Sequence, residues 1–440
     1  MRVCVIGAGP SGIAATKNCL RAGFDIVTYE KSDHIGGNWV FDVRSGHSSV
    51  YENTHIISSK VWSEYEDFPM PAGYPDYPNH RQMHAYFVAY ADQFGVRARI
   101  EFNTEVTHVS PEGDGFLVRV RQGAQTREER FDALMVANGH HWDPRMPSYP
   151  GVFNGRIMHS HDFKRTDDSW RAKRVLVIGA GNSGCDVAVE TARVASQVFM
   201  SMRRPQWFIP KFIFGVPSDV FGARSVGLPS ALRNWAFAKL LRLVQGRYSS
   251  FGLPDPTAGV FSQHPTANSD LIDLIRHSRI RPKPAIASFA GDEVLFEDGS
   301  RELVDIIVAC TGFYISFPFF DSQWIDFRSA ARVPLYLRML HPLHPRLYFI
   351  GLFQPFGCLW PLADYQAMLA CAELAGRYRR PSHLSDLIAR EKPHYEFNDS
   401  PRHSTQVDSH FFRRELAREL RKAGIDIGKA PAGRDYKAWS

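Results

Sequence analysis

The residues of this chain best placed to do chemistry are glycines. Gly7-Ala8-Gly9-Pro10-Ser11-Gly12 near the start and Gly179-Ala180-Gly181-Asn182-Ser183-Gly184 further on repeat one GxGxxG spacing. In such a turn the first glycine permits a tight strand-to-helix reversal and the second lets backbone approach a pyrophosphate. The third lets the helix pack close to its strand. Phosphates then meet free amides and the positive dipole end of the new helix. One copy alone carries little weight, because glycine-rich turns are common. Here each copy comes after a short apolar run, Arg2–Ile6 or Arg174–Ile178. Each also precedes apolar residues at helical spacing, Ile13–Leu20 or Val187–Val194. The pair predicts a chain that binds two dinucleotides, an arrangement most often used to pass electrons between them.

The strand end beyond each turn separates the ligands. The strand expected at Phe24–Tyr29 ends in Glu30. An acid about 20 residues past the fingerprint accepts hydrogen bonds from a ribose diol and repels a 2′-phosphate. The first site therefore suits FAD or NAD. The strand after the second turn, ending at Ser201, runs into Met202-Arg203-Arg204 with no carboxylate. Arginine there can clamp a 2′-phosphate through paired hydrogen bonds, which favours NADPH over NADH. An arginine pair after a strand also suits plain solvated charge; its position is what favours the nucleotide.

The 440 residues leave room for two domains with proper cores. Hydrophobic content is 44% and charged content 22%, ordinary for a globular enzyme. The net charge of +6 is dispersed, without the basic runs that would imply nucleic acid. The first strand is expected to start at residue 2, leaving no room for a signal peptide, and no stretch reaches the roughly 18 apolar residues of a membrane span. A cytoplasmic monomer or homodimer is the expectation. The cysteines at 4, 19, 185, 310, 358 and 371 form no CxxC and sit among apolar or glycine-rich neighbours. A dithiol reductase built on paired dinucleotide units needs a vicinal pair, so that branch is disfavoured. No metal site is expected.

These elements imply an α/β fold with two Rossmann-like dinucleotide-binding domains. Phe131–Gly139 and Val304–Gly312 echo each other as an acid, an apolar strand and a small-residue turn, which suggests two equivalent crossover points. The FAD domain is then discontinuous, with the NADPH domain inserted in it. Expected ranges are 1–168 for the first part of the FAD domain, 169–304 for the NADPH domain and 305–440 for the second part. An insert at about 205–270 carries a basic amphipathic helix, Leu228–Gln245. Such a helix suits a membrane surface, but packing over the cofactor domain is the favoured reading.

Between the two units lies Phe153-Asn-Gly155-Arg-Ile-Met-His159-Ser-His161-Asp-Phe163. This FxGxxxHxxx(F/Y) spelling resembles the flavin-containing monooxygenases. Gly37-Asn38-Trp39 is similar to that family's GGxW segment. Ile57-Ser-Ser-Lys60 followed by Tyr65–Pro71 is similar to its SSK…FxDFPxP stretch, and Ala309–Phe313 to its ATG(Y/F) strand end. The landmarks come in family order and cover nearly the whole chain. The resemblance implies an NADPH- and O2-dependent monooxygenase in which a C4a-hydroperoxyflavin oxidises a soft nucleophile, usually amine nitrogen or sulfide sulfur. It implies FAD contacts at Gly7, Gly9, Pro10, Ser11, Gly12, Glu30, Lys31, Gly37, Asn38, Trp39, Asn138, Gly139 and Gln354. For NADPH it implies Gly179, Gly181, Asn182, Ser183, Gly184, Ser201, Arg203 and Arg204. Because the flavin carries the hard chemistry, no side chain is assigned as catalytic, and His159 suits a structural role.

Three departures bear on function. Relatives that insert oxygen beside ketones tend to carry Trp where this chain has Phe163, which disfavours Baeyer–Villiger chemistry without removing it. The family usually has Thr where this chain has Asn138. Much of the family also places an asparagine amide towards flavin and nicotinamide at the position of Ile57. Asn53, Ile57 and Lys60 are therefore the candidate flavin-side positions, with Asn53 able to replace the missing amide if the loop is reshaped. Without such a donor the alternative is an uncoupled NADPH oxidase or flavin reductase releasing H2O2. A redox sensor that binds both nucleotides without turnover is a third class.

Overall fold

The computed structural model describes residues 1–43, 48–262, 266–391 and 404–428, so parts of the expected insert and of the 305–440 range lie outside it. The described residues form two compact units. The first takes Met1–Phe41, Thr54–Asp143 and residues from Tyr314 on; the second takes Asp42–Asn53 and Pro144–Phe313.

The first unit is built on a five-stranded parallel sheet in the order Leu347–Phe349, Ala133–Val136, Arg2–Ile6, Asp25–Tyr29, Ile100–Glu101. Arg2–Ile6 is buried on both faces except at its first residue, as a near-continuous apolar run in a parallel sheet requires. The helix Pro10–Arg21 covers one face and packs on the helix Trp360–Leu374. Pro361 fits the first turn of that helix, where a missing N–H costs nothing. Helix His80–Gln93 begins with a reciprocal capping box between Asn79 and Gln82. Thr104–Glu112, Gly115–Gln122 and Gln125–Phe131 form a separate antiparallel sheet.

The second unit repeats the plan. Its parallel sheet runs Arg156–His159, Ile306–Ala309, Arg174–Ile178, Gln197–Ser201, Ile280–Lys283. The echo between the two crossover segments is literal at the atomic level. Asp132 Oδ2 accepts the Arg2 N–H at 2.7 Å, and Asp305 Oδ2 accepts the Arg174 N–H at 2.7 Å. In each case the acid fixes the register of the fingerprint strand against its neighbour.

The units divide at Asp143/Pro144 and Phe313/Tyr314, whereas the sequence suggested about 168 and 304. The physical reason lies in strand pairing. Arg156–His159 pairs with Ile306–Ala309, and Gly151–Phe153 pairs with Ile286–Gly291, so residues after 143 already belong to the second unit. Asp42–Asn53 joins it too, although its neighbours in sequence belong to the first. Within the insert, helix Ser230–Gln245 buries Phe237, Leu241 and Gln245 and leaves Leu232, Trp235, Leu243 and Val244 exposed. Among the described residues no helix is long and apolar enough to cross a membrane.

Candidate dinucleotide sites

The two glycine turns match in their details. Gly7 has φ +100° and Gly179 φ +104°, values an L side chain rarely adopts. A Cβ on Gly12 would lie 1.8 Å from the Gly7 carbonyl oxygen, and one on Gly184 2.0 Å from that of Gly179. The helix therefore touches its strand at both places. Gly9 and Gly181 are the N-caps of Pro10–Arg21 and Asn182–Ala192, and neither supplies a side-chain acceptor to the first turn. The amides of Ser11 and Gly12, and of Ser183 and Gly184, so face the N-terminal end without a capping oxygen, as a phosphate cradle requires.

Around the first cradle, Glu30 is buried just after its strand. Its Oε2 accepts the Ala8 N–H at 2.7 Å, while Oε1 accepts the Ser32 N–H and hydroxyl, each at 2.9 Å. The carboxylate is thus held in one orientation beside the turn. Gly37, at φ +52°, brings its backbone against Gly9, where a Cβ would stand 3.0 Å from Gly9 Cα. Gly36 donates its N–H to the Ala8 carbonyl at 3.0 Å, and Trp39 packs edge-on against Trp360 at 5.6 Å. Asn38 lies in the same 3-10 turn. Pro10 starts the helix, and Ser11 abuts Gly351, where a Cβ would lie 2.1 Å from the serine Oγ. Asn138 donates to the Ser316 carbonyl at 3.3 Å, and Gly139 turns at φ +72°. Lys31 is exposed, with its ammonium 5.4 Å from the Trp142 ring centre. Gln354 pairs through its backbone with Gln406 in a short two-stranded ladder.

Around the second cradle, Met202 is buried and Arg203 and Arg204 are exposed. Neither arginine has an ion-pair partner among the described residues, so both can meet a phosphate. Ser201 is buried and its hydroxyl donates to the Pro284 carbonyl at 2.7 Å. Asn182 accepts the Ala267 N–H at 3.0 Å, and Ser183 is exposed. Gln206, which the sequence did not single out, donates to the Ala180 carbonyl inside the turn.

The FxGxxxHxxxF motif is a bracket within this second unit. A Cβ at Gly155 would lie 2.5 Å from the Asp305 carbonyl, which explains the glycine. His159 accepts the His161 N–H on Nδ1 at 3.1 Å and so donates from Nε2 to the Gly312 carbonyl at 3.0 Å. Burial pushes its pKa down, and both ring nitrogens are committed to backbone. Phe163 is buried between Tyr51 and Trp170, with ring centres 5.8 and 5.6 Å away.

The three candidate flavin-side residues fall apart. Ile57 is 38% exposed in the first unit. Lys60 donates to the carbonyls of Ala72 at 3.2 Å and Tyr74 at 2.9 Å. Asn53 belongs to the second unit, where its amide donates to Glu190 at 2.7 Å. Near it Asp186 titrates at about 6, raised by burial against the pull of Lys211 and Asn268. No group of His, Cys, Asp and Glu suited to a metal occurs among the described residues. The structure does bring Cys19 and Cys371 together, with sulfurs 3.7 Å apart between two packed helices. The neighbouring Cys19 thiol, together with burial, keeps Cys371 protonated.

Two parallel sheets, each with a glycine turn at the end of its fingerprint strand, are the Rossmann-like arrangement of a protein with two dinucleotide-binding domains. A family model described as flavin-binding monooxygenase-like matches residues 1–423. The chain is 35% identical over 434 residues to flavin-containing monooxygenase 5 of Rattus norvegicus, covering 92% of this chain and 80% of that one. It belongs to the flavin-containing monooxygenase family and is an NADPH-dependent oxidoreductase that uses FAD and O2. The fold is shared with S-allyl-L-cysteine S-oxygenase from Allium sativum (TM-score 0.73, 22% identity, 97% and 89% of the two chains). It is shared too with the open form of cyclohexanone monooxygenase (TM-score 0.64, 17% identity, 85% and 87%).

Proposed function

We propose that this enzyme oxidises a soft nucleophile, an amine nitrogen or a sulfide sulfur, through a C4a-hydroperoxyflavin. Gly7, Gly9, Gly12 and Glu30 would hold FAD; Gly179, Gly181, Gly184 and Arg203 with Arg204 would hold NADPH. The bound flavin supplies electron transfer and oxygen activation. The observation that carries the substrate class is the chemistry of the flavin-side candidates. Ile57 is apolar, Lys60 is spent on two carbonyls and Asn53 on Glu190. None is a free base or nucleophile, so nothing there activates a reluctant substrate. A substrate already nucleophilic at neutral pH needs no such help. Phe163, where ketone-oxidising relatives tend to carry Trp, weighs against Baeyer–Villiger oxidation. The same reading takes the enzyme as a cytoplasmic monomer or homodimer acting on small molecules.

A second reading rests on Ile57. An isoleucine excludes water but offers no hydrogen bond, which favours an oxidase that releases H2O2. The two are separated by measuring oxygenated product and peroxide per NADPH consumed, with simple tertiary amines and thioethers. Product close to stoichiometric supports the proposal; stoichiometric peroxide with every nucleophile supports the oxidase.

A further inference from the structure

Residues 48–53 stand in sequence just before the flavin-side segment, yet they are fastened to the second unit on two sides. On one side is the FxGxxxHxxxF bracket. Ser49 Oγ lies 2.8 Å from His161 Nδ1, and the Glu52 N–H donates to the Lys164 carbonyl at 2.8 Å. The Lys164 ammonium donates to the carbonyls of Ser48 and His161, and the Tyr51 ring rests on Phe163. On the other side is the helix Asn182–Ala192, whose N-terminus is the second glycine cradle. Asn53 donates to Glu190 at 2.7 Å, and the Tyr51 hydroxyl hydrogen-bonds Asp186. Asp186 and Glu190 are four residues apart, on one face of that helix. Asn268 steadies Asp186 from a third direction at 2.9 Å.

The next residue after Asn53 already belongs elsewhere: the Thr54 carbonyl accepts the His80 N–H at 2.9 Å in the first unit. Four residues after Asn53 comes Ile57. The clasp and the segment that carries Ile57 are therefore joined by the chain itself, with no intervening loop. A dinucleotide drawing on the amides of the helix N-terminus acts on the same rigid rod that carries Asp186 and Glu190.

We propose that Tyr51 and Asn53 are positioning residues: through Asp186 and Glu190 they couple occupancy of the second cradle to the setting of residues 54–60. Neither touches a reacting atom. Their bonds transmit the state of the nucleotide helix to the segment that carries Ile57 and Lys60. This inference concerns only the shared FAD and NADPH machinery and does not depend on the substrate class.

The test is amide hydrogen exchange on the FAD-loaded enzyme with and without NADP+, in the unaltered protein and in Asn53→Ala, Tyr51→Phe and Glu190→Gln. NADP+ is expected to slow exchange in peptides from both 179–186 and 54–60. In Asn53→Ala and Tyr51→Phe the protection at 54–60 falls by about tenfold, the worth of one charged hydrogen bond, while protection at 179–186 persists. Glu190→Gln keeps an acceptor oxygen for Asn53 but loses the charge, so protection at 54–60 falls less than in Asn53→Ala. In anaerobic stopped flow the same two variants lower the limiting rate of FAD reduction by NADPH while the Kd stays within about threefold. Unchanged protection at 54–60 in Asn53→Ala overturns the proposal, as does equal loss at both segments. If Asn53→Ala does not retain FAD, Tyr51→Phe decides alone, since it keeps the ring on Phe163 and deletes only the hydroxyl.

Discussion

Replacing Gly12 and Gly184, one at a time, by alanine separates the two cradles. A methyl at Gly12 would stand 1.8 Å from the Gly7 oxygen, and one at Gly184 2.0 Å from the Gly179 oxygen. Real Cβ contacts do not fall under 3.0 Å, so helix and strand must part by about 1 Å at either site. The strands cannot yield, because Arg2–Ile6 and Arg174–Ile178 are each hydrogen-bonded on both sides within their parallel sheets. The helix must move, and its first-turn amides leave the place where a phosphate would sit. Overpacking of this kind costs about 1–3 kcal/mol and occasionally more, and at the upper end weakens nucleotide binding roughly a hundredfold. FAD content is read from the ratio of flavin to protein absorbance, and NADP+ affinity from titration of the FAD-loaded enzyme. Gly184→Ala should keep its flavin and lose NADP+ affinity; Gly12→Ala should be purified with little flavin. Loss of flavin from Gly184→Ala with NADP+ binding intact would refute the assignment of the two sites.

Four further outcomes rest on particular residues. Arg203→Gln should weaken NADPH by about 1–3 kcal/mol while leaving NADH nearly unchanged; equal losses in the two Kd values would place the 2′-phosphate elsewhere, with Arg204 the next residue to test. Lys17 is 1% exposed and its ammonium lies 2.9 Å from both Asp364, also 1% exposed, and Asp67. Lys17→Met strands the Asp364 charge and should cost about 3–5 kcal/mol in denaturant melts, much of it recovered by adding Asp364→Leu; a cost under about 1 kcal/mol in the single variant would contradict the buried pairing. Burial, with His344 and Arg380 adding to it, pushes His341 down to about 4. An unfolded histidine titrates near 6.5, so stability is full above that value and is lost as pH falls towards 4, by about 3 kcal/mol. His341→Asn should flatten that acid limb in pH-dependent melts, and an unchanged limb would move the effect to another group. Ile57→Asn, which restores the amide found in much of the family, should lower peroxide released per NADPH, measured by a peroxidase-coupled assay; no change would remove Ile57 as the cause of leakage.

The parallel sheets, the glycine turns and the acid at position 30 were legible in the sequence because their rules are local. A positive φ, a close approach and a strand-end acid each depend on residues a few positions apart. The echo of Asp132 and Asp305 was legible for the same reason, although the backbone amides they receive, from Arg2 and Arg174, lie more than a hundred residues away. Sequence could not show which unit owns a loop. Residues 48–53 look like part of the first unit, and only contacts to His161, Lys164, Asp186 and Glu190 place them in the second. The commitment of Asn53 to Glu190 was hidden in this way, as was the approach of Cys19 to Cys371 across two helices. The unit boundary near 143 was hidden because strands Gly151–Phe153 and Arg156–His159 are too short to announce their partners.

The fate of molecular oxygen decides between oxygenase and oxidase. The FAD-loaded enzyme, NADPH and a thioether are incubated under ¹⁸O2, and the sulfoxide is weighed by mass spectrometry. A monooxygenase delivers one labelled oxygen atom to the product and the other to water, so the sulfoxide should be heavier by about two mass units. Unlabelled sulfoxide, or labelled peroxide accumulating with no sulfoxide at all, would rule out oxygen transfer to a soft nucleophile by this enzyme.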